Sequence, residues 1–196
     1  KTIILSKLIG EYQINNLITS ISILIEMGFK RQTVEDVIGK LKPPPGRLEL
    51  IKDNNDKKIY VDFAHTPDAL KNVLLSIRPY VNKKLYLILG CGGDRDKGKR
   101  ALMGKIANNY ADEIIITDDN PRYENPKSIR KQIIDFCPNS IEIEGRGDAI
   151  KYAINNLQKG DVLLIVGKGH ENYQEINGKF LKFSDKNIVK TVIGVN

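Results

Sequence analysis

The sequence has only two cysteines, Cys91 and Cys137, far apart and outside any Cys-x-x-Cys or Cys-His spacing. Neither a disulfide framework nor a zinc site is supported, and a reducing cytoplasm fits. No apolar stretch approaches the roughly 20 residues that span a bilayer, so no membrane partner is expected. The start shows neither a charged segment leading into an apolar one nor an initiating methionine, and the chain is expected to be a piece of a longer protein. Lys and Arg give a net charge of +7 but are scattered, without the run of five or six like charges that marks a nucleic-acid tail. No nucleic-acid partner is expected, whereas a ligand rich in phosphate or carboxylate suits the charge. Repeats and low-complexity segments are also absent.

What is present is ordinary for a globular protein: 196 residues, 41% apolar and 28% charged, enough for one substantial domain and a smaller piece. From Gly10 to Leu41 apolar residues recur at helical spacing, with Leu17, Ile21, Leu24 and Ile25 on one face and Gly28 placed to stop the helix. Thr33-Val34-Glu35-Asp36 resembles a capping box for a second helix. The run Lys42-Pro43-Pro44-Pro45-Gly46 ends it and sets the expected domain boundary, 1–45 against 46–196.

Beyond the prolines the pattern changes to short β-branched runs. Strands are expected at Leu48 to Lys52 and Ile59 to Phe63, across an Asn54-Asn55-Asp56 turn, and then at Leu85 to Leu89, Glu113 to Thr117, Ile141 to Ile143 and Val162 to Val166. Helices are expected from Pro67, from about Lys99 to Tyr110, from Pro126 to Phe136 and from Asp148 to Leu157. A hairpin about Asn177-Gly178 and a last helix from Ser184 close the series. Near-continuous apolar strands alternating with helices indicate an α/β fold: a Rossmann-like, mostly parallel sheet with helices on both faces, preceded by a short helical piece.

Three polar loops follow predicted strands: Gly90 to Asp96, Asp118 to Arg122 and Gly167 to Glu171. Ligands of open α/β sheets bind outside the carboxyl ends of the strands, so these loops are expected to converge. Arg95 and Arg122 can grip a carboxylate in bidentate fashion, and Asp119 and Glu171 can accept from an ammonium group. Both signs in one site suit a zwitterionic amino acid. The competing reading is that these residues simply pair with one another at the surface. Gly93 to Arg100 nearly matches a phosphate-binding P-loop but carries Arg100 where Ser or Thr would hold magnesium; a tight strand-to-helix turn explains it equally well. His65 and His170 lie at strand ends without a nucleophile or metal-ligand pattern. Asp62, at another strand end, is placed to accept from a ribose hydroxyl. A dinucleotide-binding module is disfavoured because Gly90-Cys91-Gly92-Gly93-Asp94-Arg95 fails the Gly-x-Gly-x-x-Gly pattern at its last position.

Five segments together, in order and spacing, resemble the Mur ligase family: Pro45-Gly46-Arg47-Leu48-Glu49, Tyr60 to Leu70, Gly90 to Arg100, Asp119-Asn120-Pro121-Arg122 and Gly167-Lys168-Gly169-His170-Glu171. The resemblance covers essentially the whole chain and is to the members that add meso-diaminopimelate to UDP-MurNAc-L-Ala-D-Glu. It implies that residues 1–45 close a central ATPase domain and that residues 46–196 form the amino-acid-delivering domain. ATP and magnesium would be bound mainly by a central domain outside this chain, so the chain alone would not hydrolyse ATP. By the same resemblance Arg95, Asp119, Asn120, Arg122, Gly167 and Glu171 would hold meso-diaminopimelate, and Asn16, Arg47 and Asp62 would touch ATP. Gln13 departs from the Asn that many relatives carry. Neither a catalytic residue nor a metal ligand is implied here, and a monomer in the bacterial cytoplasm is expected. Rival readings are a lysine-adding ligase or a folylpolyglutamate synthetase-like ligase, which should lack the Asp119 and Arg122 pair.

Overall fold

The computed structural model describes residues 8–54 and 57–194. Its contacts divide into two units, Lys1–Pro44 and Pro45–Asn196.

In the first unit, α1 (Glu11–Glu26) and α2 (Arg31–Ile38) are joined through Gly28, whose φ of 89° lies where a side chain is disfavoured. Leu17, Ile21 and Leu24 are half-buried, but Ile25 is exposed, as are Ile14, Ile18 and Ile23. The second helix starts earlier than its apparent capping box predicts. Lys30 is the N-cap and Thr33 lies inside the first turn. Pairs one turn apart, Arg31 with Glu35 at 2.6 Å and Gln32 with Asp36 at 2.8 Å, support that start instead.

In the second unit the described residues form a six-stranded sheet in the order β1-β2-β6-β3-β4-β5. The hairpin partners β1 (Glu49–Asn54) and β2 (Lys57–Asp62) are antiparallel; Asn55 and Asp56 of the expected turn lie outside the described residues. The strands β2, β6 (Val162–Val166), β3 (Leu85–Leu89), β4 (Glu113–Ile116) and β5 (Ile141–Glu142) run parallel. Every residue of β3 and β6 is buried, which is why both read as uninterrupted apolar runs.

Strand residues alternate between the two faces. Ile59, Val61, Tyr86, Ile88, Ile115, Leu163 and Ile165 form one cluster with Ala149, Ile150 and Ala153 of α6 (Arg146–Asn156) and Val189 of α7 (Asp185–Val192). The other face, with Leu87, Leu89 and Leu164, is left to α3 (Pro67–Ile77), α4 (Gly98–Tyr110) and α5 (Pro126–Ile134), which pack successively on one another. Each buried aliphatic side chain contributes about 1.5–3 kcal/mol. Starts are fixed by side chains that take up free amides: Thr66 accepts from Ala69 N, Asn125 from Ser128 N and Ser184 from Asn187 N. A 3-10 turn at Arg78–Tyr80 follows α3. The hairpin β7 (Tyr173–Ile176) and β8 (Lys179–Lys182) turns through Asn177 and Gly178, with φ of 49° and 73°, as a type I′ turn requires.

Because β6 inserts between β2 and β3, the carboxyl ends of β2, β6, β3 and β4 stand side by side.

Candidate functional site

The loops leaving those ends, 63–66, 90–97, 117–125 and 167–172, are knitted by contacts that only glycine permits. A Cβ on Gly93 would come within 2.0 Å of the Pro121 carbonyl oxygen, and one on Gly167 within 2.6 Å of Asp119 Oδ2. The three expected loops therefore do converge, and a fourth, behind β2, joins them: a Cβ on Gly169 would meet Phe63 at 2.7 Å.

The tetrad 119–122 is held from both sides. Asp119 is 8% and Asn120 4% exposed. Asp119 Oδ1 accepts from the Asn120 amide at 2.7 Å. The Asn120 side chain donates to Glu171 Oε2 at 3.1 Å and accepts from Lys168 Nζ at 2.9 Å and from the Glu175 amide at 3.0 Å. Lys168, fully buried, also donates to Glu171 Oε2 at 2.8 Å and lies 5.5 Å from the Tyr173 ring centre. The hairpin docks along Arg122 by backbone bonds: the Arg122 amide donates to Glu175 O at 3.1 Å, and the Asn177 amide donates to Arg122 O at 2.8 Å.

The Arg122 side chain pairs with Glu175 at 3.0 Å and donates to Gly93 O at 2.8 Å. It meets Arg95 across Gly92: a Cβ there would lie 2.9 Å from Arg122 Nη1 and 3.9 Å from Arg95 Cγ. Arg95 is exposed and, among the described residues, bonds only its neighbour's carbonyl, Asp94 O at 3.3 Å. Arg95 and Arg122 thus lie beside one another on the converging loops that also carry Asp119 and Glu171. These four do not neutralise one another, contrary to the surface-pair reading. Other residues answer them: Glu175 for Arg122, Lys168 for Glu171 and, at 3.8 Å from Asp119, Arg146.

Thr117 and Asp118, just before the tetrad, point elsewhere. Thr117 donates to Glu144 O at 3.1 Å, and Asp118 pairs with the buried Arg130. Burial pushes the Asp118 carboxyl above its ordinary value, with Glu144 and Glu142 adding to the rise against the pull of Arg130. Arg100, which spoils the P-loop pattern, is fully buried and clamps the loops. Its guanidinium donates to Glu124 at 3.0 Å, Gln132 at 2.9 Å and Gly92 O at 3.0 Å. The Arg100 bonds hold the Glu124 carboxyl down to about 2. Neither cysteine is poised for chemistry, since burial pushes the Cys91 thiol up to about 12 and raises Cys137 as well.

Behind β2, Arg47 lies 5.0 Å above the Phe63 ring, with the His65 and His170 rings 4.7 and 5.3 Å from it. Asp62 is only 3% exposed and accepts from the Leu48 and Ala64 amides at 2.7 and 2.8 Å. Asn16 is exposed on α1, in the other unit. Lys168, Arg146, Arg100 and Glu175 were not anticipated. Arg146 and Arg100 sit in the first turns of α6 and α4, where the helix dipole disfavours a cation. That misfit is a signal of a buried acidic partner.

A sequence model of the family described as "Mur ligase, glutamate ligase domain" matches residues 46–169, more than half of the chain. The chain belongs to the Mur ligase family. Among Mur ligases, the UDP-N-acetylmuramoyl-L-alanyl-D-glutamate--2,6-diaminopimelate ligase of Rickettsia typhi is 50% identical over 188 residues, covering 93% of this chain and 37% of that protein. The protein of the same name in Mesorhizobium japonicum is 44% identical over 187 residues, covering 95% of this chain and 39% of its own length. A solved structure of a ligase with that name superposes with a TM-score of 0.76 at 42% identity, covering 97% of this chain and 40% of that one. A Mycobacterium tuberculosis folylpolyglutamate synthase, at 18% identity and a TM-score of 0.71, covering 98% of this chain and 42% of that one, shares the fold. The chain therefore spans about two fifths of the length of these relatives. Among the described residues no helix is long and apolar enough to cross a membrane.

Proposed function

We propose that residues 46–196 are the amino-acid-delivering domain, and residues 1–45 the end of the central ATPase domain, of a ligase that adds meso-diaminopimelate to UDP-MurNAc-L-Ala-D-Glu. The observation that carries this reading is the convergence of the loops bearing Arg95, Arg122, Asp119 and Glu171 at the carboxyl ends of the strands. The names and identities of the relatives support it. In the reaction ATP phosphorylates the D-Glu γ-carboxylate, and the amine of diaminopimelate attacks the acyl phosphate with release of phosphate. The parent acts as a monomer in the bacterial cytoplasm.

In this assignment Arg122 and Arg95 grip a carboxylate of the incoming amino acid, while Asp119 and Glu171 receive an ammonium group; Asn120, whose side-chain oxygen is already taken by Lys168 and the Glu175 amide, acts by holding Glu171 in place, and Gly167 leaves room for the Asp119 carboxylate. Orienting the amine makes the bimolecular step effectively unimolecular, an advantage of roughly 7–11 kcal/mol at best. Arg47, exposed and with no ion pair among the described residues, fits the role of approaching ATP phosphates. Asp62 fits direct ribose contact less well, because its carboxylate is buried and bonded to backbone amides. Its contribution is to hold the segment that presents Arg47. Asn16 is assigned to the adenine from the other unit. The described residues contain no group of three or more His, Cys, Asp or Glu side chains fit for a metal, so magnesium is assigned to the rest of the parent and no step here runs through it.

The test is incorporation by the complete parent enzyme given ATP and UDP-MurNAc-L-Ala-D-Glu. Meso-diaminopimelate is expected to be added and lysine refused; equal use of both would sink the reading. Arg122→Ala is expected to raise the KM for diaminopimelate roughly 10- to 100-fold, the equivalent of losing a charged hydrogen bond of about 1.5–3 kcal/mol.

A further inference from the structure

Arg146 is fully buried at the first position of α6, and its charge has one dedicated partner. Its Nε and Nη2 donate to the two oxygens of Asp185, each at 2.7 Å, and Nη2 also reaches Val166 O at 2.8 Å. Asp185 is itself fully buried at the first position of α7, where a negative charge is favoured. Burial lowers the Arg146 pKa, but the Asp185 charge and hydrogen bonds outweigh that and leave it raised. One nitrogen is left over. Among the described residues Nη1 makes no hydrogen bond, although it is buried, and it lies 3.8 Å from Asp119 Oδ2. A buried donor without a bond is costly, so a well-anchored guanidinium with its free edge toward a ligand-site carboxylate calls for a reason.

We propose that Arg146 is a positioning residue for substrate binding: anchored on Asp185, its free Nη1 edge fixes the Asp119 carboxylate so that it faces the incoming ammonium group. Each Asp119 oxygen is then constrained from the protein side. Oδ1 is tied to the Asn120 amide at 2.7 Å, and Oδ2 is confined between Arg146 and Gly167, where even a methyl group would approach to 2.6 Å. The helix α7, which follows the hairpin, thereby reaches the amino-acid site through one ion pair. This inference rests on the reading of Asp119 as a ligand contact.

The experiment is steady-state kinetics of the complete parent ligase with Arg146→Lys, Asp119→Asn and the double variant, measuring KM for meso-diaminopimelate and for ATP separately. Lysine keeps the charge but not the fork. Arg146→Lys is expected to raise the KM for diaminopimelate about tenfold or more, since small misplacements of binding groups have effects up to about a hundredfold. KM for ATP and turnover at saturating diaminopimelate should not change. In the Asp119→Asn background Arg146→Lys should add no further rise. Effects that multiply in the double variant, or a KM for ATP that moves in step, overturn the proposal and leave Arg146 a structural residue. If Asp119→Asn alone leaves the diaminopimelate KM unchanged, the ligand role of Asp119 fails first and takes this inference with it. Should Arg146→Lys not fold, Asp185→Asn loosens the same guanidinium from its far side. A folded Asp185→Asn enzyme with a raised diaminopimelate KM and an unchanged ATP KM supports the proposal; one with an unaltered diaminopimelate KM overturns it.

Discussion

The two ends of the sheet both carry ion pairs, but of opposite character. At the amino ends of β3 and β4, Arg78 pairs with Asp112 at 2.5 Å and Lys84 with Glu113 at 2.7 Å, with side-chain exposures of 47% and 32% in the first and 57% and 33% in the second. Water screens these charges, and such pairs contribute about 0–1 kcal/mol. At the carboxyl ends Arg146–Asp185 is wholly buried, Arg100 and Lys168 are buried beside Glu124 and Glu171, and Arg130 is buried beside Asp118. A buried pair is scarcely better than apolar packing for stability, yet severing one is costly. The contrast is that buried ion pairs gather at the carboxyl ends of the strands, where they fix the orientation of the loops more than they add net stability.

That contrast can be broken. The largest effect is expected from Arg100→Ala, which strands Glu124 and frees the loops at 90–97 and 117–125. Unfolding in urea should show a loss of about 3–5 kcal/mol, and a loss below 1 kcal/mol would make the two ends equivalent. Gly93→Ala comes next. Its Cβ collides with the Pro121 carbonyl, so a loss of about 1–3 kcal/mol is expected together with weaker diaminopimelate binding by calorimetry. Acid should act on the same end. The Glu124 carboxyl falls from 4.5 to about 2 on folding, so its contribution is complete above pH 4.5 and disappears as the pH drops through about 2. In Arg100→Ala that component of the acid transition should shrink to what the Asp94 amide and Lys97 supply. The smallest effect belongs to the other end: Arg78→Ala should alter stability by no more than about 1 kcal/mol, and 0.5 M salt should mask most of it.

Sequence made the sheet legible because its signal is local. The runs Leu85 to Leu89 and Val162 to Val166 are strands at the expected residues, and Asn177-Gly178 turns the hairpin as expected. Boundaries governed by tertiary contacts were less so. α6 opens at Arg146 rather than Asp148 because Arg146 is anchored by a residue 39 positions later. β5 is only two residues long, and Thr33 lost its capping role to pairs one helical turn apart. Convergence of the loops followed from topology, but their internal partners did not. Whether Lys168, between two glycines, is exposed or buried depends on Asn120, 48 residues away, which no local pattern encodes.

The docking of the hairpin on Arg122 has an evolutionary consequence. Both backbone groups of that residue are engaged by the hairpin, so the loop is held by bonds that no side chain supplies. Its φ of 51° would suit Asn or Gly better than Arg. Exchange of the side chain should therefore keep the backbone docking and lose only the bonds to Glu175 and Gly93 O, while the preference for the incoming amino acid is rewritten. On the reading proposed above, position 122 is a place where one codon can redirect the chemistry of a cell wall without the rest of the domain having to be reinvented.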